Sequence, residues 1–328
     1  TVPPGTCENI VLPVLEEELR KRNLDSDVVH LAVSFERVMP GKEYVSSIRD
    51  FWRVCSGVNQ ESRVRVEKFL REVLNTEDFP LTVMDRPIES ETTKIMENSY
   101  RATILAFADE WSTFAERNGV DIDKVIKAIK VRPTHSNILF PGPGIGGYCL
   151  PKDGGLGYWS YGNLLGFEDE IFHITPSAID INDKRGLRAA EITLQSLTDM
   201  GKKIEDSKVL ICGASYRQDV GDTRYSGSEI VVRKLAESEV KISIHDPYVR
   251  DWPEFEHQSS DPHSKMNFFE NQTSLSKLQV NSDLNRALKG MDAIVLAVPH
   301  SHYLDIEPSD LVSRAGGPFA IIDCFCIL

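Results

Sequence analysis

The chain is short of positive charge, and this shortage limits the partners that it can have. It contains 37 Lys and Arg residues against 50 Asp and Glu residues, which gives a formal net charge of -13. This balance excludes nucleic acid or an anionic membrane surface as the main partner. The sequence also lacks an apolar run long enough to span a bilayer. An anionic small ligand would therefore need a local cluster of Lys and Arg.

Cysteine is scarce and scattered along the chain. The six cysteines form no C-x-x-C pair, which argues against a zinc site, and they show no disulfide framework. Because no signal peptide is recognisable either, we expect a cytoplasmic protein without a metal site. Cys212, Cys324 and Cys326 stand in apolar runs, and we predict that these runs are buried strands.

A glycine fingerprint preceded by a strand is also missing. Gly142, Gly144 and Gly147 satisfy the pattern G-x-G-x-x-G, but Pro141 and Pro143 flank the first glycine and no βαβ pattern follows. The fingerprint indicates dinucleotide binding only between a strand and a helix. The context therefore disfavours a dinucleotide at this loop.

Three segments are predicted from the apolar patterns, and the fold class is α/β. Residues 1–85 alternate helix and strand and have the pattern of the back half of a Rossmann-type domain. Residues 86–202 are predicted to form an all-helical central domain. Residues 203–328 contain short apolar strands separated by amphipathic segments, which predicts a doubly wound parallel sheet with right-handed crossovers.

A long helix is predicted at the start of the central domain. Its apolar residues recur at spacings of four and three, at Tyr100, Ile104, Phe107, Trp111 and Phe114. This spacing places them on one face of a helix. Since one helix has more apolar residues than a single packing face requires, we expect a homodimer through this domain.

The loop that ends in Cys149 carries the strongest chemical signal. Its Gly and Pro residues hold the backbone in shapes that few residues tolerate, and Lys152 and Asp153 follow the thiol. A stiff loop that presents a thiol beside an acid/base candidate favours covalent catalysis. Two alternatives stay open: a tight connector with a buried cysteine, and an Asp153 that only complements a helix dipole.

Other candidates lie at predicted helix faces and strand ends. Lys94 and Asn98 are four residues apart and share a helix face, where they could stabilise an oxyanion or form part of a solvated surface. Glu36 follows a predicted strand, at the edge where open α/β sheets bind ligands, or it belongs to an ordinary turn. Tyr216 and Arg224 lie in the loop after the first C-terminal strand, which could bind a nucleotide or be only a salt-bridged loop.

The order of five motifs identifies a family. They are residues 1–6, 35–41, 94–101 with 106–110, 144–153 and 213–224. Together they resemble the UDP-glucose/GDP-mannose dehydrogenase family over nearly the whole chain. Members of this family use two NAD to oxidise the carbon-6 alcohol of a nucleotide-linked hexose to a carboxylate.

The resemblance implies catalytic roles for several residues. Cys149 resembles the nucleophile that forms a thiohemiacetal and then a thioester, which water hydrolyses. Lys94 and Asn98 resemble the pair that stabilises the oxyanion, and Asp153 resembles the carboxylate that assists proton transfer. Thr1 and Glu36 resemble residues that position the water molecule and the cofactor.

Binding residues are implied in the same way. An Arg before the glycine loop often crosses from the partner subunit to the substrate; Arg132 is the nearest candidate, and His135 is the second. The positions that resemble the substrate site are Arg37, Arg132, His135, Gly144, Gly146, Tyr216 and Arg217. The positions that resemble contacts to NAD are Arg224 and Lys152. The first segment would then belong to the NAD-binding domain, and the last segment would be the UDP-sugar-binding domain.

Two departures from the family pattern shape the expected function. The family's amino-terminal half with its glycine fingerprint is absent, so we expect a fragment that alone neither binds NAD tightly nor turns over. Pro40 stands where many UDP-glucose enzymes carry a second Glu, which favours UDP-N-acetylmannosamine or UDP-N-acetylgalactosamine as the substrate. The alternatives are a UDP-glucose 6-dehydrogenase and a UDP-sugar-binding module without redox activity. A degenerate structural copy is disfavoured because all four catalytic candidates are present.

Overall fold

The protein folds as two compact units of mixed α/β structure, which confirms the predicted fold class. The computed structural model describes residues 1–39, 41, 43–255, 269 and 272–328, so Pro40 lies outside the described residues. The first unit contains residues 1–101 and 152–176, and the second contains residues 102–151 and 177–328. The division into three domains at residues 85 and 202 stays a prediction.

The first unit contains a small mixed sheet. Its strands are β1 (Ala32–Ser34), β2 (Val54–Gly57) and β3 (Thr82–Met84), in the order β1-β2-β3. Strand β1 pairs antiparallel with β2, and β2 pairs parallel with β3. The central strand β2 is buried at all four residues. Its last residue, Gly57, packs closely against residues 62 and 63, since a Cβ there would lie 2.6 Å from the backbone nitrogen of Arg63.

Helices precede, separate and follow these strands along the chain. The first unit opens with a π-helical turn, Cys7–Val11, followed by α1 (Leu12–Lys21), α2 (Tyr44–Arg49) and α3 (Gln60–Val73). Asn59 caps α3 by accepting a hydrogen bond of 2.8 Å from the Ser62 N–H. The next helices are α4 (Pro87–Asn118), α5 (Ile122–Lys130), α6 (Leu150–Asn163) and α7 (Ile174–Asp199). Within the described ranges, no helix is long and apolar enough to cross a membrane.

The second unit contains the predicted parallel sheet. Its strands are β4 (Lys208–Cys212), β5 (Lys241–His245), β6 (Val280–Asn281), β7 (Ala293–Leu296) and β8 (Ala320–Asp323). Their order is β6-β5-β4-β7-β8 and every pair is parallel. The helices that accompany them are α8 (Gly227–Glu237), α9 (Leu284–Leu288) and α10 (Pro308–Ala315).

Both faces of this sheet are buried, as parallel sheets require. Alternate residues of β4 point to opposite sides: Val209 and Ile211 pack in one apolar cluster, and Leu210 and Cys212 in another. All four side chains are fully buried, and full burial of a Val, Leu or Ile side chain stabilises a fold by about 1.5–3 kcal/mol. The prediction of a buried strand holds for Cys212, but Cys324 directly follows β8 and is only partly buried, and the prediction is wrong for Cys326. Its backbone turns after β8 with φ of 52°, and the side chain is exposed.

Candidate functional site

The glycine loop packs against the loop that follows β4. The N–H of Gly147 donates a hydrogen bond of 2.9 Å to the carbonyl of Arg224. A Cβ at Gly146 would lie 2.4 Å from the Cβ of Tyr216 and 2.8 Å from the carbonyl oxygen of Tyr225. No side chain larger than hydrogen fits there, so the glycine at this position is what allows the two loops to pack this closely. No strand precedes the loop within residues 131–149, which agrees with the interpretation that this is not a dinucleotide fingerprint.

Cys149 follows this junction by two residues and directly precedes α6. Its side chain is half-buried. Burial raises the pKa of Cys7 to about 12, that of Cys55 to about 11 and that of Cys324 to about 12. These three thiols stay protonated near neutral pH, and a protonated thiol is a poor nucleophile. They are therefore weak competitors for a catalytic role.

Lys94 is buried in the first unit, so the solvated-surface alternative is wrong for this residue. Only 7% of it is exposed. Its ammonium group donates a hydrogen bond of 2.8 Å to the carbonyl of Glu36 and lies 3.9 Å from the Glu36 carboxylate. It also lies 5.7 Å from the centre of the Phe35 ring. Buried charges need such partners because an isolated ammonium group is costly to remove from water.

Asn98 and Asp153, two further candidate site residues, contact each other in the same unit. The Asn98 amide donates a hydrogen bond of 2.7 Å to one carboxylate oxygen of Asp153. The Lys152 ammonium donates one of 2.5 Å to the other oxygen. Asp153 is fully buried in the first turn of α6. Both oxygens of the carboxylate are thus held, and the structure joins three of the predicted site residues.

Glu91 is a further member of this region that the sequence did not reveal. It lies one turn before Lys94 on α4, and only 3% of it is exposed. Its carboxylate accepts hydrogen bonds of 2.6 Å from the Gly5 N–H and 2.9 Å from the Cys7 N–H. It thereby holds the segment that starts at Thr1. The only signal in the sequence is that Glu91 stands three residues before Lys94, on the same face of a predicted helix. Its hydrogen-bond partners cannot be recognised in the sequence because they lie more than 80 residues away.

The other predicted residues of the first unit differ in exposure. Thr1 is exposed. Glu36 is half-exposed, and its carboxylate accepts a hydrogen bond from the Val38 N–H. Arg37 donates hydrogen bonds of 2.9 Å to the Glu97 carboxylate and to the carbonyl of Trp52. Arg37 therefore holds neighbouring segments of the first unit together.

Two of the nucleotide candidates in the second unit, Tyr216 and Arg224, contact the glycine loop. Tyr216 is half-buried against it, and its N–H donates a hydrogen bond of 2.8 Å to the Asp222 carbonyl. Arg217 is exposed. Arg224 forms an ion pair of 2.6 Å with the Asp222 carboxylate and lies 5.7 Å from the centre of the Tyr148 ring. The salt-bridged alternative thus describes Arg224, while its guanidinium group stays largely exposed.

Three more candidates lie near the start of the glycine loop. Arg132 and His135 are both exposed, at a 3-10 turn that spans Pro133–His135. Gly144 has φ of 144°, a conformation open to glycine, and a Cβ there would lie 3.4 Å from the Cα of Gly227. Arg132 and His135 are therefore accessible to a ligand or to a second subunit, whereas Gly144 is part of the packed loop.

The described residues do not fit a dinucleotide cofactor. In dinucleotide-binding sheets, a carboxylate after the second strand binds a ribose hydroxyl. Asp246 has this position after β5, but it is fully buried and accepts four backbone hydrogen bonds, from Ala214, Ser215, Tyr248 and Val249. No strand described in the first unit leads into a three-glycine loop. Among all the residues that the structure describes, no group of His, Cys, Asp and Glu is arranged to hold a metal ion.

Comparison with known proteins gives the family. Residues 88–183 match the model of the central domain of the UDP-glucose/GDP-mannose dehydrogenase family. Residues 210–328 match the model of the UDP-binding domain of the same family. The two matches do not overlap, and together they include most of the chain.

Individual relatives agree with these matches. The chain is 27% identical to a UDP-N-acetyl-D-mannosamine dehydrogenase of Pyrococcus horikoshii, over 94% of this chain and 63% of the relative. It is 28% identical to the enzyme of that name from Methanocaldococcus jannaschii, over 96% of this chain and 61% of the relative. The chain therefore spans roughly three-fifths of the length of these relatives.

Solved structures share the fold. A UDP-D-ManNAc dehydrogenase of Pyrococcus horikoshii aligns over 100% of this chain and 68% of its own, with a TM-score of 0.79 and 24% identity. An NDP-N-acetyl-D-galactosaminuronic acid dehydrogenase of Methanosarcina mazei aligns over 100% and 64%, with a TM-score of 0.80 and 23% identity. The fold, the two family models and the five ordered motifs agree. This chain belongs to the UDP-glucose/GDP-mannose dehydrogenase family.

Proposed function

We propose that this chain is the thiol-bearing and UDP-sugar-binding part of a nucleotide-sugar 6-dehydrogenase. Its substrate is a UDP-N-acetylhexosamine, whose carbon-6 alcohol is oxidised to a carboxylate with NAD as the hydride acceptor. The junction between the glycine loop and Tyr216 carries this proposal, because it connects the predicted nucleotide loop to Cys149. The names of the relatives support the choice of sugar.

The proposed chemistry at carbon 6 uses four side chains. The Cys149 thiolate adds to the carbonyl carbon of the sugar aldehyde, so that a C–S bond forms and the carbonyl oxygen becomes an oxyanion. The Lys94 ammonium and the Asn98 amide stabilise that oxyanion. After oxidation to the thioester, water attacks the carbonyl carbon, Asp153 accepts a proton from the water, and the thiolate leaves.

The two hydride transfers require more than these four side chains. The family implies NAD as the hydride acceptor. The described residues, however, do not form a dinucleotide-binding loop, and the Asp246 carboxylate already accepts hydrogen bonds from backbone N–H groups. This observation favours a second candidate function for the chain alone, namely a UDP-sugar-binding module without redox activity. Titrating the chain alone with UDP and with NAD tests this second candidate, because a UDP-sugar-binding module should bind UDP and not NAD.

Binding of UDP is the first expected result. In isothermal titration calorimetry the chain should bind UDP, and Gly146→Ala should weaken that binding at least about tenfold. The added Cβ overlaps the Cβ of Tyr216 and the carbonyl of Tyr225, neither of which can rotate away. Gly162→Ala is the matched control, since a Cβ there meets only ordinary contact at 3.8 Å. Failure of the unaltered chain to bind UDP would refute the proposal, and equal affinity in Gly146→Ala would refute the role of the junction.

We also propose that the chain forms a homodimer through α4. Three aromatic side chains along this helix are about half exposed: Phe107 at 53%, Trp111 at 48% and Phe114 at 53%. Their rings contact one another in series, at 6.3 and 5.5 Å between centres. Such an apolar strip on a helix fits burial against a second copy. Sedimentation velocity should show a dimer that Trp111→Glu dissociates; a stable monomer at micromolar concentration would contradict this.

A further inference from the structure

Two loops meet where the strand order of the second unit changes direction. The chain passes from β4 to β5 on one side of the sheet and from β7 to β8 on the other, so β4 and β7 flank the switch point. Open α/β sheets bind ligands in the crevice outside the carboxyl ends of such strands. The loop after β4 carries Tyr216 and Arg217, and the loop after β7 carries His300.

Asp219 joins the first loop to the second. Its N–H donates a hydrogen bond of 2.9 Å to Nδ1 of His300. Its carboxylate accepts hydrogen bonds of 2.9 Å from the Ser301 N–H and 3.0 Å from the Ser301 hydroxyl. Asp219 has φ of 56°, a left-handed conformation that is uncommon for a non-glycine residue and is stabilised by these contacts. The loop after β7 supplies that support.

The other ring nitrogen of His300 faces the start of the same loop. Because Nδ1 accepts a hydrogen bond, the neutral ring carries its proton on Nε2. Nε2 lies 3.1 Å from a carboxylate oxygen of Asp246 and 3.2 Å from the hydroxyl of Ser215. That hydroxyl in turn donates to the carbonyl of Arg217 at 2.8 Å. The ring therefore holds the loop at residue 215 and at residue 219, on both sides of the predicted UDP contacts.

We propose that His300 is a positioning residue for the nucleotide loop, and that its Nδ1 acceptor fixes Asp219 so that Tyr216 and Arg217 meet uridine diphosphate. The ring is fully buried, so it acts through the loop and not by touching the ligand. This inference rests on the proposed function, in which that loop binds UDP. A histidine that only filled the core would act through ring packing, with Tyr248 at 5.1 Å and Tyr303 at 5.6 Å between ring centres.

Two amide substitutions separate these roles. Asparagine places its carbonyl oxygen near the position of Nδ1, whereas glutamine reaches the position of Nε2 and leaves the Asp219 N–H without its acceptor. By calorimetry with UDP, His300→Gln should weaken binding at least about tenfold, and His300→Asn should stay within about threefold of the unaltered chain. The control His302→Gln, at an exposed neighbour, should leave the affinity unchanged.

Hydrogen exchange measured without ligand keeps this test independent of the proposed function. The Asp219 amide should exchange faster in His300→Gln and at the original rate in His300→Asn. If the unaltered chain failed to bind UDP, the proposed function would fall, while the exchange rates would still decide the positioning role. The inference would be overturned if His300→Gln and His300→Asn had the same exchange rate at Asp219 and the same UDP affinity. It would also be overturned if both variants lost affinity only in proportion to a shared drop in thermal stability.

Discussion

Replacing Cys149 by serine should stop formation of the uronic acid, with a loss of rate of at least about 10³-fold. A serine hydroxyl is a far weaker nucleophile than a thiolate, and the ester that it would form is hydrolysed more slowly than a thioester. Removal of the first hydride from the alcohol does not require the thiol. The variant should therefore make at most one NADH for each UDP-N-acetylmannosamine, where the unaltered protein should make two.

The experiment follows NADH and uronic acid formed by the protein expressed from its complete reading frame. Cys326→Ser is the matched control, because that thiol is exposed and lies outside the proposed chemistry. It should leave turnover unchanged. Two NADH for each sugar at the original rate in Cys149→Ser would rule out the thioester route.

Replacing Lys94 by methionine should lower kcat by about 10²–10³-fold, which is roughly 2.7–4 kcal/mol of transition-state stabilisation. Methionine keeps an unbranched apolar side chain, shorter by one atom, but removes the charge that would face the oxyanion. The affinity for UDP should not change, because the proposed UDP contacts are other residues, at Tyr216 and Arg217. The expected signature is therefore a fall in kcat with KM nearly constant.

The buried position of Lys94 requires a control for folding. Its ammonium group also holds the Glu36 carbonyl, so the thermal midpoint of the variant is measured beside its activity. Lys124→Met is the matched substitution at an exposed lysine, whose side chain is 83% exposed, and it should leave both quantities unchanged. Full kcat in a folded Lys94→Met protein would exclude the oxyanion role.

The second unit illustrates what sequence patterns predict well. The short apolar strands that the sequence predicts in residues 203–328 are present as β4, β5, β7 and β8. Each is a short apolar run bounded by polar or glycine residues, and in a sheet buried on both faces such runs are nearly continuous. The sequence also marks the start of helix α6, because Pro151 stands in its first turn, where proline is favoured.

The first unit illustrates where such patterns are insufficient. Strand β2 was not predicted, because Ser56 and Gly57 interrupt its apolar run although every residue of the strand is buried. Its burial arises from the strands on both sides and from the close approach of Gly57 to the start of α3, which are tertiary effects. The strand propensities of single residues do not include such packing, so they do not predict this strand.

The candidate site shows the same limit. The motifs identified Cys149 and Asp153, but two residues that hold the surrounding segments, Glu91 and His300, carry no motif of their own. Their partners lie about 80 residues away along the chain, at Gly5 and Asp219. Only the folded chain brings such groups together, so their roles become visible from hydrogen bonds and burial.

Capture of a sugar aldehyde by Cys149 can be measured without any cofactor, because addition of a thiol to an aldehyde transfers no hydride. The measurement is the rate at which iodoacetamide alkylates Cys149, read by peptide mass spectrometry with and without the 6-aldehyde of UDP-N-acetylmannosamine. We expect saturating aldehyde to protect Cys149 strongly while exposed Cys326 still reacts, and UDP alone to protect much less. Alkylation of Cys149 at the same rate with aldehyde as with UDP alone would contradict the proposed nucleophile.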